Sequence, residues 1–194
     1  MKLRKYYIIA LIVVIIDHVT KLIVHFNMEM HSPGQIVIFD DWLKIYYILN
    51  PGMAFGAQWN WEYGKLALSL FRIGAIAGII YFIKDFYQKK YSNALLICMG
   101  MILGGAIGNA IDGTFYGVLL EGNMIPGAPT AWFHGRVIDM IYVDICDCFV
   151  PNWVPMWGGT YLNLWPIFNV ADSAIFIAVG IILIWQKRIL AKTQ

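Results

Sequence analysis

Apolar residues in this chain come in long blocks with few charges, not in the half-polar patterns of water-soluble helices and strands. Four blocks, 6–26, 66–84, 94–117 and 167–186, match the length of about 20 residues that carries an α-helix across a bilayer core. The pattern predicts an α-helical integral membrane protein with four transmembrane helices. The first block follows Met-Lys-Leu-Arg-Lys, which imitates the basic head of a cleavable signal peptide. No small-x-small cleavage site follows it, and the apolar run continues past Asp17 and Lys21 to Phe26, so it is read as a retained anchor.

The connections differ from the blocks in kind. Residues 35–60 carry β-branched and aromatic runs broken by Asp-Asp and Pro-Gly, a hairpin-like signal. Trp42, Tyr46, Tyr47, Trp59 and Trp61 suit a sheet at headgroup level, where amphipathic rings are enriched. The segment 118–166 is rich in Pro and Gly, with one apolar stretch, Arg136 to Val143, too short to span and expected to pack on the mouth of the bundle. Within the third block Gly100, Gly104 and Gly108 recur every four residues with Gly105 beside them, a spacing that lets helix backbones approach.

Composition and charge sharpen this picture. The 194 residues are 60% hydrophobic and 13% charged, against about 25% charged in a soluble domain. Positive residues are retained in the cytoplasm, and Lys2, Arg4 and Lys5, then Lys84, Lys89 and Lys90, then Lys187, Arg188 and Lys192 all fall at one end of the predicted helices. Both termini are therefore expected in the cytoplasm, with 27–65 and 118–166 outside. A net charge of +2 without a basic patch gives no sign of nucleic-acid binding. Cys98, Cys146 and Cys148 have no metal-site spacing, and a bridge across the single residue between the last two would be strained. His18 and His25, seven apart, are too distant along a helix to chelate together.

Ionisable side chains inside a bilayer are costly and mark function by default. Asp17 and Lys21, at i and i+4, can form an ion pair on one helix face. Asn109-Ala-Ile-Asp112 and Asn169-Val-Ala-Asp172 echo each other as Asn-x-x-Asp, and since their helices run in opposite directions both pairs reach a similar depth. With Asp139 nearby, three carboxylates can converge on one pocket. Crowded, poorly hydrated carboxylates cannot all ionise; one keeps a proton, the arrangement of an aspartic protease. Buried carboxylates also serve ion or proton transport, so a small proton-coupled transporter or channel is the alternative. Spacing alone does not rank the three carboxylates. Ser173 follows Asp172, but no histidine on that block completes a nucleophilic site.

Taken in order, Asp17-His-Val-Thr-Lys21, Asn50-Pro-Gly-Met-Ala-Phe-Gly56, Gly104-Gly-Ala-Ile-Gly-Asn-Ala-Ile-Asp112, Val137-Ile-Asp139 and Phe168-Asn-Val-Ala-Asp-Ser173 resemble the motifs of lipoprotein signal peptidase, the type II signal peptidase of bacteria. The resemblance covers nearly the whole chain. It implies a single membrane peptidase domain, 1–194, in the bacterial cytoplasmic membrane. It implies an aspartic endopeptidase that cuts diacylglyceryl-modified prolipoproteins just before the lipidated cysteine. Asp139 and Asp172 become the catalytic dyad; Asp17, Lys21, Asn50, Asn109, Asp112 and Asn169 become supporting residues; and the 35–60 sheet becomes a substrate cradle. No metal or cofactor is implied, and the expected partners are prolipoprotein substrates and membrane lipids, with the enzyme a monomer. The chain departs from the family in two ways. Gly113 stands where the family continues with Arg, and the connection from Asp112 to Asp139 is longer than usual. Arg136, the only arginine read on the outer side, is expected to take over the missing cation's support.

Overall fold

The structure is a computed structural model that describes residues 2–31, 34–39, 42–51, 64–144, 147–149, 151–153, 159, 161–163 and 166–190. Gly52 to Gly56, Trp59, Trp61 and Cys146 lie outside the described residues, as does the side chain of Cys148.

Each apolar block forms a helix: α1 Arg4–Asn27, α2 Gly64–Gln88, α3 Asn93–Ile111 and α5 Val170–Ile184. α3 continues through a π-helical turn, Asp112–Tyr116, into a last turn, α4 Gly117–Leu119. Three of these helices are long and apolar enough to cross a membrane: Arg4–Asn27, Gly64–Gln88 and Asn93–Leu119. The fourth falls short of its expected 167–186 span. α5 has 15 residues, about 22 Å at 1.5 Å per residue. Its start is fixed by Asn169, whose side chain accepts the Asp172 N–H at 2.9 Å as an N-cap. It ends at Trp185, after which α6 Gln186–Ile189 adds one turn. Large apolar side chains such as Leu11, Phe71, Phe82, Phe176 and Leu183 remain exposed on the helices, as expected for surfaces that meet lipid.

The glycine stripe sets how closely the helices pack. A Cβ on Gly100 or Gly104 would lie 2.6 or 2.7 Å from the Tyr6 or Ala10 carbonyl oxygen of α1, and one on Gly105 would come closer still to that of Ala171 in α5. Gly74 and Gly78 in α2 have nothing within 4 Å of such an atom. Gly105→Ala is therefore expected to lower stability in detergent by about 1–3 kcal/mol through overpacking. Gly74→Ala should be neutral or add about 0.5–1 kcal/mol of helix propensity. Thermal unfolding of the two purified variants decides it, and an unchanged Gly105→Ala midpoint would contradict this packing.

At one end of the bundle sits an antiparallel sheet in the order β1–β2–β3, from Ile36–Phe39, Leu43–Asn50 and Val137–Val143. The apolar stretch expected to pack at the bundle's mouth is thus a strand, β3, whose side chains from Val137 to Met140 are all buried. Val24, Tyr47, Tyr116, Leu120, Ile138 and Met140 form the cluster beneath the sheet. A second, short hairpin pairs β4 Asp147–Phe149 with β5 Tyr161–Asn163. The 118–136 segment is tied to α3 by its backbone: the Phe133 and Gly135 N–H groups donate to the Thr114 and Gly113 carbonyls at 3.1 and 3.0 Å. Those carbonyls belong to the π-helical turn, which is where the insertion docks.

Candidate active site

The sheet and the helix ends meet at a polar cluster. Ile48 of β2 lies opposite Asp139 of β3. Asn50, two residues along, shares that face and reaches Asp139 diagonally, donating from Nδ2 to Oδ2 at 2.9 Å. Ile141 of β3 bridges to Phe168 through paired backbone bonds of 2.7 and 3.0 Å. The next residue, Asn169, is thereby held beside Asp139, and its Nδ2 donates to Asp139 Oδ1 at 2.7 Å. Asp139 is almost wholly buried, at 1% exposure.

From there an amide ladder runs to the second carboxylate. Asn169 Nδ2 also donates to Asn109 Oδ1 at 3.2 Å, and Asn109 Nδ2 donates to Asp172 Oδ1 at 2.7 Å. The two Asn-x-x-Asp motifs therefore interlock: each asparagine supports a carboxylate that its own motif does not contain. Asp172 is half-buried in the first turn of α5, where the helix amides favour negative charge.

Behind the ladder lies an ion-pair core. Lys21 Nζ is 2.7 Å from both Asp17 Oδ2 and Asp112 Oδ2, and 3.2 Å from Asn109 Oδ1. Asp17 Oδ1 accepts the Ala171 N–H at 2.9 Å, tying α1 to the start of α5. Asp17, Lys21 and Asp112 are fully buried. His18 Nδ1 and the Tyr116 hydroxyl are 2.6 Å apart, and His25 Nδ1 and the Tyr47 hydroxyl 2.7 Å, so both histidines bind tyrosines. Among the described residues, Asp17, His18 and Asp112 lie close enough to share a metal ion. The Lys21 ammonium already takes the place of a cation between the two carboxylates.

Asp139, outside the helices, has its carboxyl pushed up to about 7, by burial first and by the charge of Asp172 second, against the opposing hydrogen bonds of Asn50 and Asn169 and the charge of Lys21. A buried carboxyl that binds its proton near neutral pH, with a second, half-buried carboxyl group in the same amide network, suits paired acid and base work on a water molecule.

Eight of the nine expected site residues meet here. Arg136 is the exception: its Nε donates to the Asn123 carbonyl at 3.2 Å and its Nη2 to that of Gly122, so it braces the 122–123 turn. An offset of three along extended chain turns two side chains to opposite faces, which separates Arg136 from Asp139. A different cation stands beside the carboxylates. Arg72 of α2 donates from Nη1 to the Asn109 carbonyl at 3.4 Å and feels the charges of Asp172, Asp112 and Asp139. Its signal in the sequence was an arginine seven residues after Lys65 and three after Ser69, one face at the start of an otherwise apolar helix.

A family model described as signal peptidase (SPase) II matches residues 9–188. The lipoprotein signal peptidase of Amoebophilus asiaticus (strain 5a2) is 46% identical over 188 residues, covering 96% of this chain and 79% of that protein. That of Porphyromonas gingivalis (strain W83) is 38% identical over 190 residues, covering 93% and 81%. A bacterial membrane enzyme solved by the in meso method at 1.9 Å resolution superposes with a TM-score of 0.61 at 26% identity, over 93% of this chain and 90% of that one. With a family match over residues 9–188 and a relative 46% identical across nearly its whole length, the chain belongs to the signal peptidase II family.

Proposed function

We propose that Asp139 and Asp172 are the catalytic dyad of an aspartic endopeptidase that releases signal peptides from diacylglyceryl-modified prolipoproteins, cutting just before the lipidated cysteine. The observation that carries this reading is the amide ladder joining the two carboxylates, with Asp139 held at both of its oxygens. Ionised Asp172 takes a proton from water, and the hydroxide adds to the scissile carbonyl carbon as Asp139 gives its proton to the carbonyl oxygen. The tetrahedral diol then collapses: the C–N bond breaks, the proton held by Asp172 goes to the leaving nitrogen, and Asp139 recovers its own. Asn50, Asn109 and Asn169 hold the carboxyls; Asp17, Lys21 and Asp112 hold the helices that carry them.

The 1–194 chain acts as one membrane peptidase domain, as a monomer. The sheet end of the bundle faces away from the cytoplasm, since the lysines and arginines of 2–5, 84–90 and 187–188 gather at the other end. Substrate acyl chains and signal helix then lie in the bilayer beside a site at its outer surface. No feature favours the transport reading: the carboxylates lie at the sheet end of the helices, and transport sites tend toward the midplane.

The test uses the purified protein with a lipidated prolipoprotein, the products identified by mass spectrometry. A single cut immediately before the modified cysteine is expected, with the unlipidated precursor left intact. Equal cutting of the unlipidated precursor would overturn the substrate assignment. Reporter fusions at residues 60 and 125 should read external and those at 88 and 194 cytoplasmic; a cytoplasmic signal at 125 would overturn the orientation.

A further inference from the structure

Helix α2 packs little of itself against the protein: among its described residues only Gly64, Ser69 and Ile83 are buried. Yet three polar side chains on one face, Lys65, Ser69 and Arg72, spaced i, i+4 and i+7, each donate to a backbone carbonyl of a different segment. Lys65 Nζ reaches the Pro51 carbonyl just beyond Asn50 at 2.6 Å. Ser69 Oγ reaches Phe133 in the insertion at 3.2 Å, and Arg72 Nη1 reaches Asn109 in α3 at 3.4 Å. All three converge on Gly113. A Cβ there would stand 3.5 Å from Arg72 Nη1, 3.6 Å from Ser69 Oγ and 3.9 Å from Lys65 Nζ, so a longer residue at 113 would occupy the ground these groups share.

The charge balance explains why a cation is wanted. Asp17 and Asp112 flank one lysine, Lys21, and a dyad sharing one proton adds another negative charge. The other charged group of α2 near them is Lys65, which is turned to the Pro51 carbonyl; His18 is 3.7 Å from Asp112 and bonded to the Tyr116 hydroxyl.

We infer that Arg72 is a positioning residue of the site: it crosses from α2 over Gly113, fixes the Asn109 backbone whose side chain holds Asp172, and brings a positive charge to the carboxylate cluster. The inference rests on the dyad proposed above.

Removing the charge destabilises the ionised carboxylates, so both limbs of the pH–rate profile move upward. Arg72→Gln is expected to lower kcat by about 10- to 100-fold, with KM little changed, and to move the alkaline limb up by about one pH unit. Arg72→Lys keeps the charge and should keep the wild-type position of the profile. Gly113→Arg alone sets two guanidiniums together and should also lose activity. Combined with Arg72→Gln it restores a cation to the same ground, and the double variant should be faster than either single with its profile moved back. That pairing, together with Arg72→Lys, carries the test even where Arg72→Gln accumulates poorly. An unmoved profile in Arg72→Gln, equal losses in Arg72→Gln and Arg72→Lys, or a double variant no faster than the faster single would each overturn the role. Activity surviving in Asp139→Asn would instead overturn the dyad, so the two failures are separable.

Discussion

Asp139→Asn is expected to reduce cleavage of a lipidated prolipoprotein by at least about a thousandfold, the scale at which groups acting as one catalytic unit fail. The amide keeps the size and planarity of the carboxyl but cannot give a proton to the scissile carbonyl. Its NH2 also faces one of the two amide donors that now serve Asp139, Asn50 or Asn169. Half-buried Asn50 can turn to relieve that contact, so the variant should fold, and its unfolding midpoint in detergent provides the check. The wild-type enzyme should show the same proton in its pH dependence. With the Asp139 carboxyl pushed up to about 7, the active singly protonated dyad is lost as pH rises through that value, and the rate should decline on the alkaline side. A rate that stays flat from pH 6 to 9 with chemistry rate-limiting would contradict the assignment of the proton to Asp139.

Lys21→Met should have the largest effect on stability. Lys21 is fully buried with two carboxylate oxygens at 2.7 Å, and removing one partner of a buried ionic group costs about 3–5 kcal/mol because the charges left behind are uncompensated. Here two are left, Asp17 and Asp112. For a chain of this size the loss corresponds to about 6–20 °C in the unfolding midpoint. Adding Asp17→Asn and Asp112→Asn should recover most of it, since the amide oxygen that Asp17→Asn leaves in place can still accept the Ala171 N–H that ties α1 to α5. A Lys21→Met single variant as stable as wild type would mean that the ion-pair core does not hold the helices together.

The sequence made the helices legible because a membrane span leaves a long, one-dimensional signal. Glycine spacing likewise pointed to close backbone packing, and the Asn-x-x-Asp echo to a convergence of carboxylates. The strand β3 was harder to read. Val137 to Val143 pairs with Leu43 to Asn50, nearly a hundred residues away, and an apolar run of seven carries no mark of its partner. The π-helical turn at 112–116 is also a tertiary effect, sited where the insertion's N–H groups take the Gly113 and Thr114 carbonyls. Arg72 is hard to read from the sequence because, unlike Lys21, it has no carboxylate at i±3 or i±4, and its partner Asn109 lies in another helix. Arg136 is near Asp139 in sequence, but in extended chain an odd offset turns the two side chains to opposite faces.

The catalytic assignment turns on which two of the three carboxylates act. Its most direct test is the conversion of purified lipidated prolipoprotein by Asp172→Asn beside Asp112→Asn, each confirmed folded in detergent. Asp172→Asn is expected to leave no measurable cleavage, and Asp112→Asn to retain slow turnover, because Asp112 pairs with Lys21 behind the ladder. Near-normal cleavage by Asp172→Asn, or complete loss in Asp112→Asn alone, would contradict the assigned dyad.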